Sequence, residues 1–176
     1  MKKKSKIRYL LVILIIAIMT GFTCTFTTAN EENQRSTKLV LEGEAVQRKF
    51  QIRDQWMEDG VIHIRYYRES TISGTIDGIE FIGHHEVNGH IKIEVTGDYT
   101  ANGKVTSYTT WNQREGTFYG SFNVKGFMVI IPSWGDFNGK SVMQGAGDFK
   151  GWKIFSISWS IEEGRYGLNG TVLIPN

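Results

Sequence analysis

Along most of the chain, apolar residues fall at every second position in short runs. "VIHIRYY" alternates Ile62, Ile64 and Tyr66 with Val61, His63 and Arg65, and "AVQRKFQIR" aligns Val46, Arg48, Phe50 and Ile52 on one face. The same period recurs in "HIKIEVTGDY", "VTSYTTWNQ", "TFYGSFNV", "GFMVII", "KIFSISWSI" and "TVLIP", separated by "DG", "NG" and "GDFNG". β-Branched and aromatic residues at period two, punctuated by turn residues, predict antiparallel strands. About eight such strands with short connections predict an all-β antiparallel closed barrel, with a β-sandwich as the alternative. The one helical candidate is a single turn at "RDQWMEDG". Glycines inside the runs, as in "SGTIDG", "YGSFNVKG" and "NGTV", fit the sharp bends a small barrel needs to close.

The N-terminus follows a different rule. "MKKKSKIRY" carries five basic residues and no acid, and about a dozen apolar residues follow it, the order of a secretory signal. Thr27 and Ala29 suit a cleavage site. The apolar stretch from Tyr9 to Phe26 also reaches about 18 residues, the lower edge of a spanning helix. Residues 1–29 are therefore expected to be a signal peptide or an N-terminal membrane anchor. Residues 30–38 would form a short polar linker and residues 39–176 the barrel. Either way the domain would be extracytoplasmic, secreted or held at the membrane.

The charge changes with that division. The whole chain has a formal charge of +2; without residues 1–29, fifteen basic residues face 18 acidic ones, a charge of −3. No basic run is left to follow a phosphate backbone, so nucleic acid is not an expected partner. The single cysteine, Cys24, lies in the apolar segment, so the domain holds no disulfide.

"IGHHEVNGHI" concentrates three histidines and a glutamate, Glu86. A helical zinc motif needs histidines four apart, but His85 and His90 are five apart and Asn88-Gly89 interrupts any helix. The segment reads as a hairpin with Asn88-Gly89-His90 in its loop. Phe81, His85, Val87, Ile91, Ile93 and Val95 then share the buried face, and His84, Glu86, Lys92 and Glu94 the other. His85 alone points inward and must find a polar partner there.

"GAGDFKG" lacks the spacing and the helix of a dinucleotide loop and reads as a bend between strands. Asp77, Asp98, Asp136 and Asp148 neighbour glycines and read as turn residues, as does Asn169-Gly170. No catalytic constellation is recognisable and no cofactor motif is present. The aromatic supply is large: Trp111, Trp152 and Trp159 lie on or beside strands, placed to fill a core or line an apolar pocket. These three and His85 are the expected ligand-binding residues.

At "YRESTISGTIDG" and "SVMQGAGDFKGWKI" the chain resembles the barrel proteins grouped around allene oxide cyclase and the dirigent proteins. Their glycine-rich turn GxGxFxG is matched by Gly145, Gly147, Phe149 and Gly151. The resemblance implies an eight-stranded barrel with an apolar lumen, often in homo-oligomers. It also implies two activities: a cyclase or isomerase acting inside the barrel, or the orientation of phenolic radicals. No catalytic residue of the cyclases maps onto a position here.

The expected function is an exported or anchored barrel that binds an apolar or aromatic small molecule or serves a surface structural role; the alternative is a cyclase-like isomerase. No metal is expected: His84 and His85 face opposite sides of a strand and cannot share one ion. Protein purified without a histidine tag should keep its thermal midpoint after chelator treatment. Stoichiometric zinc together with a large fall in that midpoint on chelation would contradict this.

Overall fold

The computed structural model describes residues 36–127 and 137–176. The expected signal or anchor (1–29), most of the expected linker, Asp136 and the last residues of "GFMVII" lie outside them. Eight strands follow one another: β1 (Thr37–Glu58), β2 (Val61–Ile76), β3 (Ile79–Ile93), β4 (Asp98–Trp111), β5 (Arg114–Phe127), β6 (Phe137–Gly147), β7 (Lys153–Glu162) and β8 (Arg165–Ile174). Each pairs antiparallel with the next, and β1 pairs with β8 to close the barrel. That closure excludes the sandwich. The seam runs from Thr37↔Ile174 to Val46↔Arg165, so β1 begins just before the expected domain start. On its outer side Arg165 donates to Glu44 at 2.6 and 2.9 Å.

The turns follow local chemistry. Asp59-Gly60, Asp77-Gly78 and Asn112-Gln113 all have positive φ, the geometry that lets a two-residue hairpin match the strand twist. The single helical turn expected at "RDQWMEDG" does not form; β1 continues through it to the Asp59-Gly60 turn. Asn169-Gly170 is likewise no turn. It lies within β8, where Gly170 pairs with Leu41 and Ser156.

The histidine segment corrects a larger expectation. β3 runs unbroken through Asn88, Gly89 and His90, which pair with Tyr67, Tyr66 and Arg65. The Asn-Gly turn signal is overridden because Gly89 leaves room for a neighbour: a Cβ there would sit 2.5 Å from the Tyr66 ring. The predicted faces survive, since a straight strand puts the same odd-numbered residues inward. Phe81, His85, Val87, Ile91 and Ile93 are all buried, but Val95 lies beyond the strand and is 90% exposed.

The expected face of Val46, Arg48, Phe50 and Ile52 is split by a bulge between Gln47 and Lys49. An extra residue reverses the alternation. Arg48 reaches Thr71 outside the barrel, whereas Phe50 turns inward and stacks on Tyr66 at 5.2 Å.

One end of the barrel is plugged by aromatic rings. The bend after β6 folds Phe149 back inside, where it stacks on Phe118 at 4.9 Å and meets Trp152 at 5.1 Å; Trp152 in turn contacts Trp111 edge-on at 5.4 Å. Gly116 makes the space, because a Cβ there would lie 2.7 Å from the Phe149 ring. "GAGDFKG" is thus a bend, as expected, and its phenylalanine is the plug. Phe149→Ala should destabilise the domain by about 3–5 kcal/mol, the range for losing a buried phenylalanine. Tyr119→Ala, on the outer face, should change it by about 0.5 kcal/mol or less. Urea unfolding of both variants checks the contrast.

Candidate functional site

Above the plug the lumen narrows around a cavity of about 90 Å³. Leu41, Ile72, Val87, Val105, Met143 and Ile154 supply most of its apolar wall. A polar belt crosses that wall on β2, β3 and β4. Ser70, His85 and Ser107 lie directly opposite one another in the strand register, and Ser107 is joined to Thr109 by a hydroxyl contact of 2.9 Å. Arg68, two residues before Ser70, faces the same way. Its guanidinium lies 4.8 Å from the ring centroid of Tyr166 on β8.

β7 adds polar groups from the opposite wall by an inverted pattern. Its apolar residues Phe155, Ile157, Trp159 and Ile161 are exposed on the outer face. Its inward row is Ile154, Ser156 and Ser158, which line the cavity. Ser156 meets Ser141 of β6 at 2.6 Å. The lumen is therefore not the uniformly apolar interior that an alternating strand pattern leads one to expect.

Three polar atoms in this region are buried without a hydrogen-bond partner: Arg68 Nε, Ser70 Oγ and Tyr166 OH. None of the residues lining the cavity is acidic. The acids nearest in register, Glu69 and Glu86, alternate with inward residues and face outside. Glu69 meets Lys49 at 3.4 Å and Glu86 approaches His84 at 3.9 Å.

Burial also fixes the protonation of the lumen. It pushes the His85 imidazole down to about 3, with the charges of Arg68 and His84 adding to the effect. It raises Tyr66, against the opposing influence of Arg68, and pushes Tyr99 up to about 12. These three groups are uncharged at neutral pH, and the cations among the residues lining the cavity are the half-buried Arg68 and the more exposed Lys140.

Of the expected ligand-binding residues, only His85 lines the cavity. Trp111 and Trp152 belong to the plug, and Trp159 lies outside against Gly167. Arg68, Ser70 and Tyr166 were not singled out from the sequence. A signal for Arg68 existed: it continues the inward row Ile62, Ile64, Tyr66.

A second cluster forms outside. His63 and His90 approach to 3.1 Å and stack with Trp56, whose ring also carries Arg65. Burial, then His63, Lys92 and Arg65, hold the His90 imidazole below its ordinary range. Among the described residues no three metal-ligating side chains come together.

No protein-family model matches the chain, and no curated protein matches it.

The neutral, buried His85 makes stability depend on pH. Its folded pKa lies below the unfolded value, so its contribution is complete above about pH 6.5 and is lost as pH falls toward 3. Over that window the stability should drop by about 1.4 kcal/mol per pH unit from this group. His85→Gln should show a shallower acid slope than the wild type in urea unfolding at stepped pH; parallel slopes would contradict the assignment.

Proposed function

We propose that this domain is an extracytoplasmic binding barrel whose lumen takes a compact small molecule with an apolar body. One observation carries the reading: a cavity with aliphatic and aromatic walls is lined by Arg68 and Tyr166, whose buried Nε and hydroxyl no described residue satisfies. Leaving such atoms unpaired costs about 1–3 kcal/mol each, so a ligand or ordered water that satisfies them gains that amount. A role as a surface structural element gives no reason to retain them.

Size limits the ligand. An apolar cavity of about 150 Å³ accommodates benzene. A space of about 90 Å³ suits a body of only a few heavy atoms unless the lumen widens on binding.

Binding is favoured over turnover by the protonation states. A general base works best with a pKa near the operating pH, whereas His85 lies near 3 and Tyr99 near 12. The likeness to allene oxide cyclase and dirigent proteins agrees with the eight-stranded ring but supplies no catalytic group. Export, by the N-terminal segment, and association of barrels into homo-oligomers are parts of the same proposal.

The test is a thermal-shift and calorimetric screen of the purified chain against small aliphatic and aromatic compounds. Saturable one-to-one binding is expected, with a midpoint that rises with ligand concentration; at a hundredfold excess over Kd the gain is about 2.7 kcal/mol. Absence of saturable binding across the set, with unchanged stability in Ser70→Ala, would favour the structural role.

A further inference from the structure

Resting on that reading, we propose that the lumen ligand is a compact carboxylate, its anionic head held by Arg68 and its apolar body by the aliphatic wall. The guanidinium is the observation that sets this class. It projects into a cavity that no acid lines, and its Nε has no hydrogen-bond partner. Its contact with the face of Tyr166 supplies no acceptor to that Nε. A half-buried guanidinium with a buried Nε and no counter-ion is costly to the extent that desolvation is not offset by an opposite charge. A carboxylate supplies that charge in the geometry an arginine fork matches, two parallel hydrogen bonds in one plane.

The neighbours narrow the class further. Tyr166 lines the same cavity, and its buried, unpartnered hydroxyl is able to donate to a carboxylate oxygen. Ile72, Val87, Val105 and Met143 offer contacts to an apolar body. An inorganic dianion would leave those apolar contacts unmade. A monoanion with a small branched or short-chain body meets both halves of the cavity.

Isobutyrate, isobutyramide and inorganic sulfate, titrated calorimetrically into the full-length chain, test the proposal. A hydrogen-bonded charge is worth about 1.5–3 kcal/mol, so the acid should bind about tenfold to a hundredfold more tightly than its amide. Sulfate should bind more weakly than the acid. Arg68→Gln should abolish the preference while leaving the ligand-free thermal midpoint unchanged or higher. Arg68→Lys, which keeps the charge but not the fork, should retain part of it.

If acid and amide bind equally and Arg68→Gln changes neither, the carboxylate is overturned while small-molecule binding stands. If sulfate binds as tightly as the acid, the site is a plain anion site and the proposed class is wrong. If none of the three binds, although compounds of the wider screen do, the carboxylate fails alone; if nothing binds at all, both readings fall. A large loss of ligand-free stability in both Arg68→Gln and Arg68→Met would make Arg68 a brace for Tyr166, and would likewise overturn the proposal.

Discussion

Closure of β1 onto β8 is the constraint from which the rest of the structure follows. Once eight strands form a ring, every second residue of every strand must share one narrow interior. A large inward side chain then needs a small one beside it. Tyr66 lies over Gly89, and Phe149 over Gly116. These two glycines are therefore complements of particular rings. The same crowding leaves an inward polar group little choice of partner, which is why an arginine in the ring can lack one.

The strand alternation made the fold legible, and it did so through parity. The sequence places Phe81, His85, Val87, Ile91, Ile93 and Val95 on one face with a hairpin between them; the hairpin does not exist, and Val95 lies beyond the strand and is exposed. A three-residue loop and a straight strand give the same odd-numbered face, so the inward row holds from Phe81 to Ile93 although the turn is absent. Asn88-Gly89 is a sound local signal for a hairpin, and tertiary packing against Tyr66 overrides it. The bulge near Gln47 left no mark in the sequence, because an inserted residue looks like any other until the partner strand is known. The GxGxFxG turn showed as a bend; that its phenylalanine folds inside required the contact with Phe118.

The candidate site was less legible than the fold for a related reason. Along the chain, polar groups able to do chemistry cluster most densely at the histidines. In the barrel the cluster forms across strands: Ser70, His85 and Ser107 come from three strands and meet only through register. Arg68 was hidden by the habit of reading a charged residue as outward, although its position in the row after Ile62, Ile64 and Tyr66 points inward. β7 misleads in the opposite sense, since its apolar row is the exposed one. The inward serines of that strand and the belt on β2 to β4 together turn a filled core into a lumen with polar anchors.

The central claim is that Arg68 lies inside the lumen with its hydrogen-bonding capacity reserved for something other than the protein. A high-resolution crystal structure of the chain, grown without added organic acids, tests it most directly. The account predicts the Arg68 guanidinium against Tyr166, with ordered density for water or a bound small molecule bridging it to the Tyr166 hydroxyl. An Arg68 side chain paired with an acidic residue of the protein, or a lumen closed by collapsed side chains with no density, would contradict it.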